Sequence, residues 1–292
     1  MVTEALIKTV ERQEVLDQLS DKIQPLVSNA FESTGPAGRE VKNFLHGTWL
    51  GHPLHPALTD VPLGAWTAAL TLDAMETISG RKELGAGADA AIAVGLVGAA
   101  GAAVTGLTDW SETNGRARKV GLLHGLLNVG ATALYATSLL LRRKDRRSAG
   151  RGFAMLGYAV SSTAAYLGGH LVFSEQIGVN HAAAQEMPKE FVPVLADAEL
   201  REGEMKRVDA GGVPVFLVRR EGAVCALANT CSHFGGPLSE GKLEGDVVQC
   251  PWHGSRFNVR DGSVVDGPAT FPQPCFEARV REGQIEVRSI DR

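Results

Sequence analysis

The chain has 292 residues, of which 44% are apolar and 21% charged, with a formal net charge of −4. That length leaves room for one to three domains. The acidic balance, with no basic stripe interleaved with aromatics, argues against a nucleic-acid-binding role.

The averages conceal two unlike parts. Residues 61–174 are rich in Ala, Gly, Leu and Val, whereas 188–292 alternate apolar and polar residues and carry most of the Pro-Gly turns. No signal-peptide pattern opens the chain. Residues 4–31 place Val10, Leu16, Leu19, Ile23 and Leu26 near helical spacing. This predicts an amphipathic helical segment over 1–45 that packs as an ordinary helix, with a membrane-surface or partner contact as the other reading.

Four apolar stretches follow, at 60–79, 88–109, 119–142 and 152–173. A spanning helix needs about 20 mostly apolar residues, and each stretch is near that length. Gly95, Gly98, Gly101 and Gly106 suit close helix approach in a bilayer. A soluble bundle of buried helices is the competing reading. Four such stretches joined by short charged links make a poor water-facing surface, so 46–180 is expected to be a four-helix transmembrane domain. Residues 175–190 read as a linker. Beyond them short strand-like segments, broken by Gly-containing turns, predict an all-β domain over 188–292. The expected fold is therefore an all-α four-helix transmembrane bundle followed by an all-β domain, with no long internal repeat.

The cysteines are Cys225, Cys231, Cys250 and Cys275. Two disulfides in a small secreted domain would account for four, but the spacing speaks for metal ligation. Cys231-Ser232-His233 and Cys250-Pro251-Trp252-His253 form C-x-H-x16-C-x2-H. A zinc ion accepts such a Cys2His2 set. The loops continue as His233-Phe234-Gly235-Gly236-Pro237-Leu238 and His253-Gly254-Ser255-Arg256-Phe257, and a third loop is Gly267-Pro268-Ala269.

Together these resemble the Rieske [2Fe–2S] family over about 100 residues. The resemblance implies that Cys231 and Cys250 hold one iron and His233 and His253 the other, with Pro237, Leu238, Ser255, Phe257 and Pro268 around the cluster. Neutral imidazoles in place of thiolates raise the potential, and Rieske centres span roughly −150 to +300 mV. In the high-potential branch each ligand loop carries an extra Cys and the two form a disulfide. Gly236 and Trp252 stand at those positions here. Ser255 keeps the hydroxyl that would bond a bridging sulfide, while Phe257 replaces a Tyr that would bond sulfur. The loops resemble Rieske ferredoxins serving oxygenases, which implies a low to intermediate potential. Cys225 and Cys275 are expected to be packed strand cysteines.

Gly51-His52-Pro53-Leu54-His55-Pro56, with the four helices after it, resembles an uncharacterised family of four-helix bacterial membrane proteins over about 45–180. With four spans, His52, His55, Asp60, Asp109, His124, Asn128 and His170 all gather towards one side, where the Rieske domain also emerges. Ionisable groups at a membrane are functional candidates, and paired imidazoles in a helix bundle are one way to hold haem. Three readings stand: a b-type haem with axial ligands from His52, His55, His124 and His170; a quinone pocket in which a His and Asp109 handle protons; or helix-end caps. No role is assigned to Asp73. Arg142, Arg143, Lys144, Arg146, Arg147 and Arg151 surround the loop between the third and fourth spans. By the preference of positive charge for the cytoplasm they turn the Rieske domain outward, while a ferredoxin without a disulfide suits the cytoplasm.

The expected function is a membrane-anchored single-electron carrier in a bacterial cell membrane, working between a redox partner protein and a quinone, haem or oxidoreductase. A terminal Rieske oxygenase would need a further iron on two His and one carboxylate, for which the residues after His253 leave little room. A quinol-oxidising subunit and a membrane redox sensor are the alternative readings.

Overall fold

The computed structural model describes residues 2–290, with side chains from Ile7 onward. Met1, Asp291 and Arg292, at the ends of the expected first and last domains, lie outside them. Seven helices come first: α1 (Val2–Glu11), α2 (Glu14–Glu32), α3 (Gly35–His46), α4 (Leu54–Ser79), α5 (Glu83–Trp110), α6 (Gly115–Arg143) and α7 (Arg147–Phe173). Ten strands follow: β1 (Val192–Ala196), β2 (Met205–Ala210), β3 (Val213–Arg220), β4 (Ala223–Ala228), β5 (Lys242–Glu244), β6 (Val247–Gln249), β7 (Arg256–Asn258), β8 (Val264–Asp266), β9 (Cys275–Arg281) and β10 (Gln284–Ser289). The chain forms two compact units. One comprises 1–38 and 54–177, the other 39–53 and 178–292. Part of the N-terminal segment, and most of the stretch read as a linker, thus belong to the β unit.

In the helical unit, α4 packs along α5 and α6 along α7. The apolar face expected in the first helices docks on these hairpins. Ile7, Val10 and Leu16 share a buried cluster with Trp110, Val120, Leu122 and Leu167. Asp17 takes Lys119 at 2.6 Å, and Arg118 reaches Asp21 at 2.9 Å. The segment is a packed helix pair.

The hairpins repeat one another. His55, Trp66 and Asp73 on α4 correspond to His124, Tyr135 and Arg142 on α6. Gly95, Ala102 and Gly106 on α5 correspond to Gly157, Ala164 and Gly168 on α7. A Cβ on Gly95 would collide with Trp66, and one on Gly157 would press on Tyr135 at 3.0 Å. The equivalent aromatics then stack on each other, centroids 4.0 Å apart. The absence of a long repeat, expected from the sequence, is corrected here. The halves agree only where packing demands it, and Trp against Tyr or Asp against Arg hides the match.

Asp73 acquires a partner at the same stroke. Arg142, with its side chain fully buried, grips Asp73 with two nitrogens and also reaches Asp89 at 3.0 Å. Arg147 and Arg151 bind Glu76 at 3.0 and 2.7 Å. These charges bear on the four expected spans. Among the described residues two helices, α5 and α6, are long and apolar enough to cross a membrane by length and composition. Asp60, Asp73 and Glu76 load α4, and Ser, Thr, Gly and Tyr dilute α7. They also bear on orientation, because three of the arginines counted for it are engaged by acids. Many apolar side chains on these helices face outward, among them Val97, Val104, Val129, Leu140, Met155 and Leu156.

In the β unit a six-stranded antiparallel sheet runs β1-β10-β9-β4-β3-β2, and a four-stranded one runs β5-β6-β7-β8. The Gly211-Gly212 turn between β2 and β3 has positive φ at both residues, the geometry that matches strand twist and that glycine adopts freely. Phe216, Leu227, Leu238, Val248 and Phe257 form the core beneath the loops. Cys225 and Cys275 lie in β4 and β9, within or against that core.

Removing one partner of a buried ion pair strands the other charge, at about 3–5 kcal/mol. Arg142→Ala is expected to destabilise the helical unit by that amount in detergent unfolding, and Asp73→Leu with Arg142→Met to recover most of it. An unaltered unfolding curve for Arg142→Ala would contradict this.

Candidate metal centre

Two loops carry the motif, one between β4 and β5 and one between β6 and β7. Each closes on itself through its cysteine. The Cys231 N–H donates to Gly236 O at 2.8 Å and Gly235 N–H to Cys231 O at 2.9 Å. The Cys250 N–H donates to Ser255 O at 2.8 Å and Gly254 N–H to Cys250 O at 3.2 Å. Gly235 and Gly254 both have positive φ, so these tight returns need glycine.

The ligand atoms fall into two pairs. Cys231 and Cys250 are buried and their sulfurs share a hydrogen bond. That bond pulls the Cys250 thiol down to about 7, against burial, with help from the Trp252 and His253 N–H groups. The same bond and burial push Cys231 up. The second pair is His233 and His253, ring centroids 5.2 Å apart at 88°. Burial, then the charges of His253, His46, His181 and Lys42, hold His233 well below the usual histidine range. It is therefore a neutral imidazole with a lone pair to give, and its Nδ1 is buried without a hydrogen-bond partner.

A thiol pair beside an imidazole pair, with an orphaned ring nitrogen, fits a two-iron cluster held by two sulfurs and two nitrogens. When bound, such a cluster supplies one-electron chemistry.

Ser255 is fully buried, and its Oγ accepts from the Ala269 N–H at 3.0 Å, leaving the hydroxyl proton for the cluster. Phe257 is fully buried and offers no hydroxyl. Leu238 and Pro268 are buried, and Pro237 is half-buried. A Cβ at Gly236 would lie 3.0 Å from the Trp252 ring and 2.8 Å from the Cys250 sulfur. The two positions that could bear a disulfide are thus in contact and filled by glycine and indole. Among the described residues, which include all four cysteines, there is no disulfide.

Residues that pattern reading missed come from far along the chain. Gln273, buried, donates to Ala228 O and Thr230 O at 2.7 and 2.6 Å and accepts the Ser232 N–H at 3.0 Å. It clamps the first ligand loop. His181 stacks on Phe234, and its N–H bonds Ser232 O at 3.0 Å. Asn43 caps the third loop, accepting the Gly267 N–H and donating to Asp266, both at 2.9 Å. No short motif marks them. The one local feature is that Gln273 stands between Pro272 and Pro274.

Residues 190–277 match the Rieske [2Fe-2S] domain family. The chain is 38% identical over 98 residues to the ferredoxin CarAc of Metapseudomonas resinovorans, covering 33% of this chain and 92% of that one. The chain belongs to the Rieske family. Its Rieske domain is an electron carrier of the ferredoxin kind. The ferredoxin component of biphenyl 2,3-dioxygenase from Rhodococcus jostii is 35% identical, over 32% of this chain and 88% of its own. The solved complex of reduced oxygenase and oxidized ferredoxin in carbazole 1,9a-dioxygenase contains a chain 37% identical, with a TM-score of 0.32, covering 34% of this chain and 92% of that one. Apoptosis-inducing factor 3 of mouse matches at 34% identity over 31% of this chain and 15% of its own length. Residues 51–181 match a predicted membrane protein family, DUF2231.

The membrane-side candidates separate. His52 belongs to the Rieske unit, 6.3 Å from the Phe271 ring, its Nδ1 2.9 Å from Pro53 O. His170 Nε2 lies 3.2 Å from the Glu175 carboxylate, which also takes Arg116 at 2.6 Å. Asp109 is half-buried in the last turn of α5. Only His55 and His124 face each other, centroids 6.3 Å apart.

A hydrogen bond to a charged group is worth about 1.5 kcal/mol or more, and a tenfold change corresponds to 59 mV for one electron. Ser255→Ala is therefore expected to lower the cluster potential by about 60 mV in protein-film voltammetry. An unchanged potential would show that the hydroxyl does not bond the cluster.

Proposed function

We propose that the protein is a membrane-anchored Rieske electron carrier. It takes single electrons from one redox partner and passes them to another at the membrane, a haem, a quinone or an oxidoreductase. The observation that carries this reading is the pairing of two buried thiols with two half-buried imidazoles. The cysteine end is shut away and the histidine end, flanked by exposed Trp252, forms the edge where electrons enter or leave. Relatives named as dioxygenase ferredoxin components support this reading, and a partner oxidoreductase of similar chemistry is the natural acceptor or donor.

The anchoring rests on α5 and α6 and on the outward apolar side chains of the hairpins. All four helices α4 to α7 cross the bilayer in this reading. The ionic ends of α4 and α7 are neutralised within the bundle, as intramembrane charges must be.

Two measurements test it. The Rieske electron-paramagnetic-resonance signal should stay in membranes washed with alkaline carbonate, and its complete release would contradict anchoring. His253→Cys should retain a cluster but lower its potential sharply, because an anionic thiolate replaces a neutral imidazole. An unchanged potential would remove His253 as a ligand.

A further inference from the structure

We propose that the helical unit holds one b-type haem, its iron bound on either side by His55 and His124. The proposal deepens the electron-carrier reading by naming the group at the membrane. It stands on separate residues, and on four observations in the bundle.

First, the two imidazoles come from different hairpins and face each other, ring centroids 6.3 Å apart and planes at 88°. Two metal–imidazole bonds of about 2 Å, with half a ring beyond each, span about 6 Å between ring centres.

Second, each ring is fixed from behind. His55 Nδ1 lies 2.9 Å from Ala102 O on α5, with Thr105 Oγ1 at 3.4 Å, and His124 Nδ1 lies 2.8 Å from Ala164 O on α7. A carbonyl accepts only from an N–H, so both rings carry the Nδ1 proton and keep the Nε2 lone pair. Metal-binding imidazoles are oriented and tuned by such a bond on the other nitrogen.

Third, each ring rests on a glycine. A Cβ at Gly106 would approach His55 Cε1 to 2.7 Å, and one at Gly168 would approach His124 Cε1 to 3.1 Å.

Fourth, the two histidines are equivalent positions of the internal repeat. At the other facing positions the halves have diverged into complementary partners, Trp66 against Tyr135 and Asp73 against Arg142. At this level alone the facing residues are identical. One atom bound from both sides is served by the same ligand from each half, whereas a cap or a hydrogen-bonded pair would be served by complementary residues.

Asn128 donates to His124 Nε2 at 3.2 Å and to His124 O at 3.0 Å. Iron would displace the first of these bonds and leave the second.

The test uses the full chain with its Rieske cluster, purified in detergent from cells supplied with 5-aminolevulinate and iron. Haem is quantified as the pyridine haemochrome, and low-spin haem and the Rieske cluster are read separately by electron paramagnetic resonance. The expected result is one low-spin haem per chain. His55→Ala and His124→Ala should each lower haem content roughly 100-fold, the upper end of what even losses behind a ligand cost a metal site, with the Rieske signal intact as the control for folding. Since either alanine could loosen the bundle, His55→Met supplies the second arm. It should retain haem with a shifted spectrum and a raised potential, as Met/His ligation gives. His170→Ala and His52→Ala should keep haem unchanged. Wild-type protein that has its cluster but neither carries haem nor takes up added hemin would overturn the proposal while leaving the electron-carrier reading standing. So would an unaltered low-spin spectrum in both alanine variants.

Discussion

The β unit is organised around one constraint. Two sulfurs and two ring nitrogens must be delivered from separate loops to fixed points, and the sulfurs must be buried without repelling each other. The hydrogen bond shared by Cys231 and Cys250 marks how closely the loops bring them. The N–H groups of His233 and Phe234 face one sulfur and those of Trp252 and His253 the other. Donors aimed at sulfur stabilise negative charge there and tune the potential. Gln273, Asn43 and the Ser255 hydroxyl exist in this scheme to hold the three loops still. None of them need be a ligand to matter.

The helical unit answers a different constraint. A bundle with charges in its interior must pair them, and the repeat does so across the two hairpins. Moving along α4 and α6, the facing positions are His with His, then Trp with Tyr, then Asp with Arg. One end is therefore ionic and tightly paired, the middle aromatic, and the other end presents two imidazoles. Glycines of α5 and α7 make room for the two imidazoles, the two aromatics and Arg142.

The cluster was legible in the sequence because its ligands lie in two short loops, where spacing alone determines which side chains can converge. The strands were legible from alternation and from turns such as Gly211-Gly212. Gln273, Asn43 and His181 were not, because each reaches the site from a distant segment with no pattern of its own. Residues 39–53 looked like the tail of an amphipathic segment, and only contacts such as Asn43 with Gly267 place them in the β unit. The internal repeat escaped notice because complementarity, not identity, relates most of its facing positions. The apolar pattern predicted helices at α4 and α7 correctly but overstated their apolarity, since Asp73 and Glu76 are masked by arginines more than 60 residues away in sequence.

The cluster's potential is set by its surround: Ser255 present, Phe257 without a hydroxyl, and no disulfide between positions 236 and 252. A redox titration of the full chain in detergent, followed by electron paramagnetic resonance of the cluster, reads that potential. The midpoint is expected in the lower half of the family's range of roughly −150 to +300 mV. A midpoint near the top of that range, or no [2Fe–2S] signal at all, would contradict this.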